Sequence, residues 1–483
     1  MIGNSRGAMP LTIALAPLVL LLSSIGYIIA SKGASSVVDY APAVLLSSTA
    51  LAIVLTYITG RFRRKAFLAG LKRSAAQTLP ALPMLICIAI VATTWMMSGV
   101  VPMLISCGIS WISPGAFLVI ACGVSAVVSV LTGSSWSTIA TIGVAFMGIG
   151  SALGFSVAWT AGAIISGAYF GDKVSPLSDT TVVASGACGV DLFKHIRYLM
   201  LTSIPAMAIA LIVYGIVGMT VTAEPQAHHS VIVEQLAAHF NLTPLSLVIP
   251  LITLVLIAFR VNTIVTLAVA GMLGFAGIFV FQDAYTAGES LTALWSGFAP
   301  ATGDSNYDDL VGTGGVIGML PTVWLVLSAM MFGATMMGTG MLSRITELLM
   351  RRIKSRFQIV GVTVAGGLCM NSATSDQYLS LIVTGNMFKG IYRRNGLESR
   401  LLSRTVEDSV SVTSVLIPWN SCGITQSTVL GVPTIVYLPF CIFNILSPCM
   451  SLVMAYTGFK IKDNRQACSS QELTPVISES TEC

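Results

Sequence analysis

The sequence predicts an all-α polytopic membrane protein, and three observations carry that prediction. Of 483 residues, 55% are hydrophobic, with a mean hydropathy of +0.86. Only 9% are charged, about a third of the roughly 25% usual in soluble chains. Apolar runs of the length needed to cross a bilayer recur along the chain. This composition excludes a cytosolic enzyme, a disordered chain and a nucleic-acid binder, none of which could present a wet surface from so few charges. Glycine (44) and methionine (22) suit closely packed membrane helices. The cysteines show no CxxC spacing and read as small buried hydrophobes.

The clear spans, in order, are 11–30, 41–60, 81–99, 198–221, 245–259, 262–281, 319–342 and 433–458. The first is longer than a signal-peptide core and reads as a retained span. Basic residues stay on the cytoplasmic side. Arg61, Arg63, Arg64, Lys65, Lys72 and Arg73 therefore place the second loop and the N-terminus inside, and Lys194 with Arg197, Arg260, and the basic residues of 344–356, 389–404 and 460–465 follow. Loops 222–244 and 282–318 hold acids and no lysine or arginine, and are expected outside. The basic stretch 343–357 reads as an interfacial amphipathic helix.

Two stretches, 100–190 and 357–430, are apolar but interrupted by polar clusters. The charge markers require an odd number of crossings in each, which a re-entrant hairpin followed by one broken crossing satisfies. The first hairpin, 114–131 and 136–152, turns at Thr132, Gly133, Ser134 and Ser135. A crossing over 155–188 then breaks at 171–180. The second hairpin, 358–370 and 377–392, turns at residues 371–376, and the crossing 401–430 breaks at 407–409 through Pro418, Trp419 and Asn420.

Each half thus reads as three spans, a re-entrant hairpin, a broken helix and a closing span, in opposite orientations. About ten crossings and two hairpins result. The expected division is a cytoplasmic N-terminus (1–10), a first repeat (11–221), an extracytoplasmic linker (222–244), a second repeat (245–458) and a disordered cytoplasmic tail (459–483). Inverted repeats with discontinuous helices place transport sites where the breaks meet near the midplane.

Ionisable side chains at that depth are costly and need a reason. Six qualify: Asp172, Lys173, Asp179, Asp376, Glu407 and Asp408. Around them Ser134, Ser135, Ser175, Ser178, Ser375 and Asn420 supply neutral oxygens. This hard-oxygen set suits an alkali cation better than zinc or copper. Na⁺ is expected at Asp172 and Asp408, which align at an offset of 236, with Glu407 behind them. A carboxylate that binds Na⁺ can instead bind H⁺, and mutual exclusion with alternating access suffices for antiport. Lys173 reads as a gating or ion-pairing residue, with Asp172 as one partner. Asp179 and Asp376 have a capping alternative. An intramembrane aspartyl protease is disfavoured because Tyr169 stands where its Gly-x-Gly-Asp motif needs glycine, and a passive channel by the broken-helix repeat.

The run from Ser166 to Thr181, Ser-Gly-Ala-Tyr-Phe-Gly-Asp-Lys-Val-Ser-Pro-Leu-Ser-Asp-Thr-Thr, closely resembles the signature of the NhaC-type sodium/proton antiporter family. The likeness continues in Thr94-Trp95 through Ser98, Gly99 and Pro102, in Thr132 to Trp136, in Ser375 to Ser380, and in Leu402 to Ser409 running to Pro418-Trp419-Asn420. The resemblance implies two hairpins and two broken helices in inverted repeats. It implies Na⁺/H⁺ exchange in a bacterial inner membrane, with the transported ions and no cofactor. Sodium-coupled malate/lactate exchangers belong to the same family, so an organic-acid carrier is the alternative. The sequence departs from the family pattern at Val410 and Val415, where glycine and proline are usual, at Thr313, where arginine is usual, and at Val383-Thr384-Gly385-Asn386, which replaces Leu-Pro-Gly-Arg. Expected partners are the lipid bilayer and small cations, with a homodimer as the expected assembly and no nucleic acid.

Overall fold

The computed structural model describes residues 9–79, 81–220, 226–259, 261–300, 302–304, 307–308, 311–349 and 355–461. Arg6, Arg260, Arg351, Arg352, Lys354 and the tail from residue 462, which the charge pattern places inside, lie outside the described residues. Among the described residues, seven helices are long and apolar enough to cross a membrane, or up to ten spans if each of three bent pairs is one crossing. The chain is a polytopic α-helical membrane protein.

In the first half, α1 (Leu11–Lys32) and α2 (Val37–Ile58) pack together, and α3 (Arg64–Thr78) carries Arg64, Lys65, Lys72 and Arg73 of the basic cluster on a helix that hydropathy did not reveal. The α4 helix (Ala81–Met97) bends by 68° into α5 (Val100–Trp111) at the left-handed Gly99. The hairpin consists of α6 (Phe117–Thr132) and α7 (Ser135–Ala152), the broken element of α8 (Val157–Val174) and α9 (Asp179–Cys188), and α10 (Leu192–Thr220) closes the half.

The second half begins with α11 (Gln226–His239) inside the expected linker, then α12 (Val248–Ala258) and α13 (Thr263–Phe281). A loop was expected next, but Thr286 and Glu289 form a capping box that starts α14 (Ala287–Ser296). Next come α15 (Leu320–Gly338) and α16 (Met341–Leu349), then the hairpin of α17 (Arg356–Thr374) and α18 (Gln377–Arg394). The second broken element is α19 (Ser399–Val406), a π turn (Glu407–Ser411) and α20 (Ser421–Leu430), and α21 (Ile442–Thr457) follows.

The halves interlock reciprocally. Helix α4 packs on α13 while α15 packs on α2, and α10 packs on α21. The closest pairing sets α6 against α8, because α8 presents glycine where the backbones meet. A Cβ on Gly167 would lie 2.0 Å from the Cys122 carbonyl oxygen, and one on Gly171 2.3 Å from that of Ala126. No larger residue fits there without moving the backbone.

The turns reveal a register that residue type alone concealed. Left-handed residues recur 242 positions apart: Gly133 and Ser375, Gly154 and Gly396, Gly189 and Gly431. Helix N-caps obey the same spacing, with Ser134 matching Asp376, Ser156 matching Glu398, and Ser178 matching Asn420. Side-chain contacts follow it too. Ser129 Oγ donates to Ala168 O (2.6 Å), and at the matching positions Asn371 Nδ2 donates to Val410 O (2.8 Å).

This register corrects three expectations. The second hairpin turns at Ser375 and Asp376, while Asn371 lies within α17. The first break is confined to residues 175–178, so Asp172 and Lys173 belong to the last turn of α8. Glu407 and Asp408 lie in the π turn, ahead of the irregular stretch that ends at Asn420. The position matching Asp172 is Ser414, and the one matching Asp408 is Ser166; the 236 offset does not hold.

Candidate functional site

Asp172 and Lys173 are consecutive residues of one helix, so their side chains diverge by about 100°. Asp172 faces the first hairpin tip, which closes on itself. Gly133 supplies the left-handed turn, Ser134 caps α7 by accepting from Ser137 N (3.2 Å), and Thr132 Oγ1 accepts from Ser134 N (3.2 Å). Ser135 is thereby aimed back at α8. Its hydroxyl donates to Asp172 Oδ2 (2.7 Å), and Ser178, across the break, donates to Oδ1 (2.5 Å). Ser175 fastens the break to the hairpin through Val130 O (2.7 Å) and so has a structural task.

Asp172 is buried at a cavity of about 130 Å³, also lined by Ser134, Trp136, Thr180, Gln377 and Tyr378. Residues of both hairpins thus meet at one space. A second cavity of about 370 Å³ shares Gly133, Ser134, Asp179 and Thr263 with the first and extends along Asn262 and Thr266. Asp179 is exposed and lines both, at the first position of α9. Among the described residues, no lysine or arginine lines either space.

Lys173 points the other way and is buried with Asp408, with which it forms an ion pair. Its ammonium also donates to Ser447 Oγ (2.8 Å), and Asp408 accepts from Ser447 (2.8 Å), Ser451 and Thr202 (3.2 Å). Both carboxylate oxygens are therefore engaged, and neither cavity includes Asp408. The expected Asp172–Asp408 cation pair is not assembled, and Lys173 neutralises Asp408 and not its neighbour Asp172.

The remaining candidates separate in the same way. Asp376 caps α18 by accepting from Leu379 N (2.8 Å). Asn420 caps α20 through Cys422 N (3.1 Å) and donates to Asn371 O (3.1 Å). Ser375 joins the tip to α20, its carbonyl accepting from Ser421 N (2.9 Å). Glu407 is fully buried beyond Thr180, which donates to its Oε1 (3.2 Å).

Sequence reasoning missed Gln377, Tyr378 and Thr263 as lining residues, and Thr202, Ser447 and Ser451 as partners of Asp408. The last two stand four residues apart in an apolar span, a one-faced polar pair that was a usable signal. Two further polar side chains are buried. His195 Nδ1 meets Ser403 Oγ (2.8 Å), and Arg404 is enclosed beside the Tyr198 ring, 4.6 Å from its centroid.

The site is therefore a carboxylate with hydroxyl neighbours at the end of a polar cavity. Among the described residues no three His, Cys, Asp or Glu side chains gather as a metal-binding group. Residues 2–198 and 167–459 match the Na⁺/H⁺ antiporter family. The chain belongs to that family. Its members are transporters and not enzymes. This family member is 37% identical to the Na⁺/H⁺ antiporter NhaC of Alkalihalophilus pseudofirmus over 77% of the chain and 81% of the relative. It is 34% identical to the arginine/ornithine antiporter ArcD of Halobacterium salinarum, over 81% of each. It is 33% identical to a malate-2H⁺/Na⁺-lactate antiporter of Bacillus subtilis, over 79% of the chain and 81% of the relative.

Proposed function

We propose that the protein exchanges Na⁺ or Li⁺ for H⁺ by alternating access, with Asp172 as the carboxylate at which cation and proton compete. The observation that carries this reading is Asp172 itself, held by the Ser135 and Ser178 hydroxyls at the end of a cavity lined from both hairpins. A cation entering there meets a negative charge and neutral oxygens, the donor set an alkali ion takes. Lys173 and Asp408 neutralise each other behind it and hold α8 to the second half, so that Asp172 keeps an unpaired charge for the transported ion. The reciprocal packing and the 242-residue register support two inverted repeats exchanging access around the site. The basic loops support cytoplasmic termini in a bacterial inner membrane.

The relatives also include carriers of organic ions, and the cavities bear on that choice. A dicarboxylate would need a counter-charge, and among the described residues neither cavity offers a basic side chain. Thr313, where the family pattern favours arginine, is engaged with Thr93 (3.0 Å) and accepts from Phe298 N (3.0 Å). The test is parallel transport in proteoliposomes of Na⁺, Li⁺, malate, lactate and arginine. Na⁺-dependent proton movement without organic solute supports exchange. Solute uptake with no cation-only response overturns it.

A further inference from the structure

We propose that the two cavities form one access path to Asp172 from the cytoplasmic face, and that the Asp179 carboxylate at their junction draws the cation in along it. The proposal rests on the reading of Asp172 as the cation site. It adds the side from which that site is reached and the residue that collects the ion.

The path is continuous. The larger cavity, about 370 Å³, is lined by Ile257, Val261 and Asn262 from the end of α12 and the turn into α13, and by Leu177 from the break after α8. It meets the smaller cavity, about 130 Å³, at Gly133, Ser134, Asp179 and Thr263, and the smaller one reaches Asp172. Ser137 Oγ and Thr263 Oγ1, 3.2 Å apart, bring the first hairpin tip against α13 at that junction. Thr132, Ser134, Ser137, Thr263 and Thr266 all line the larger space, so an ion leaving bulk water meets a succession of neutral oxygens.

The charge pattern sets its direction. Arg260 places the turn between α12 and α13 inside, and α9 leads from Asp179 toward Lys194 and Arg197, which are placed inside as well. Toward the other face the chain is packed. Tyr169 stands one turn before Asp172 on α8 and is buried with Cys422 and Tyr437 in one apolar cluster. Among the described residues, the cavity system therefore leads to one face of the membrane.

Asp179 is the first residue of α9 but not its cap. Ser178 fills that role by accepting from Thr181 N (3.4 Å), and among the described residues the Asp179 carboxylate has no hydrogen-bond or ionic partner. An exposed, unpaired charge between low-dielectric walls focuses its field along the space it faces and raises the local cation concentration there. Asp172 is held by two hydroxyls, whereas Asp179 has none fixed to it and holds a passing ion loosely. That suits a waypoint, which must attract an ion and still let it leave. An acid in the first turn also favours the helix dipole, but that contribution is the same whichever face the ion comes from.

The test is Na⁺-driven proton movement by the full chain in everted and right-side-out membrane vesicles, with Na⁺ supplied on one face at a time. Asp179→Asn should raise the apparent KM for cytoplasmic Na⁺ about tenfold, with the maximal rate and the KM for Na⁺ from the other face near wild type. Asp179→Glu should restore the KM, and the difference between Asp179→Asn and wild type should narrow as choline chloride raises the ionic strength. The thiol introduced by Thr263→Cys, followed by mass spectrometry of its peptide, should react with a membrane-impermeant maleimide in everted vesicles only. An equal rise in KM on both faces, no rise on either, or labelling of that thiol from the outer face or from neither overturns the proposal while the cation site stands. If Asp172→Asn exchanges as wild type does, the cation site fails and the path to it falls with it.

Discussion

Lys173 and Asp408, 235 positions apart, are buried together as an ion pair that fastens the end of α8 to the π turn of the second half. The pair explains how a lysine can lie beside Asp172, the proposed transport carboxylate, without cancelling it. Breaking one partner leaves an uncompensated buried charge. Lys173→Met or Asp408→Asn alone should lower stability by about 3–5 kcal/mol, while the double variant should recover most of the loss. Thermal unfolding in detergent measures this, and losses that simply add would show that the residues do not depend on each other.

Ser135 and Ser178 each give Asp172 one hydrogen bond and stand beside any ion it holds. Hydrogen bonds to charged groups contribute about 1.5–3 kcal/mol, so Ser135→Ala should raise the apparent KM for Na⁺ about tenfold or more. Ser178→Ala should do the same and also lower the melting temperature, because Ser178 caps α9. An unchanged KM in both variants would remove the hydroxyls from the site.

Asp376 behaves differently from Asp172 because its side chain caps α18. Asp376→Asn keeps an acceptor for Leu379 N and should leave the KM for Na⁺ near wild type. Asp376→Ala should cost about 1 kcal/mol of stability. A large rise in KM for Asp376→Asn with stability intact would make Asp376 a cation ligand.

Gly167 has no room for a side chain, since a Cβ would sit 2.0 Å from the Cys122 carbonyl oxygen. Gly167→Ala should push α8 from α6 and cost about 1–3 kcal/mol, with a matching fall in transport as Asp172 leaves Ser135. A variant with wild-type melting temperature and transport would show that the contact is slack.

The spans were legible because about twenty apolar residues have few other uses, and the hairpins because polar tips interrupt such runs at turn residues. Helices α3 and α14 were not, since neither is a long apolar run and α14 starts on a capping box. The acids were legible as a set but not in their roles. Hydropathy cannot tell which way a side chain points from its helix, and a one-residue step separates Asp172 at the cavity from Lys173 in the ion pair. The correct register was present in the sequence. Thr132-Gly133-Ser134-Ser135-Trp136-Ser137-Thr138 and Thr374-Ser375-Asp376-Gln377-Tyr378-Leu379-Ser380 share a hydroxyl, an aromatic and a hydroxyl at matched positions. Pairing acid with acid obscured it, because the matched partners of Asp172 and Asp408 are serines. Arg404 was placed on the inside by the charge rule, which assigns a side of the membrane and not a depth.

Proteoliposomes bearing a preset pH gradient and challenged with Na⁺ test the assignment of Asp172 most directly. Wild-type protein should collapse the gradient, and Asp172→Asn, folded and inserted to the same extent, should not. A collapse as fast in Asp172→Asn as in wild type would contradict the site.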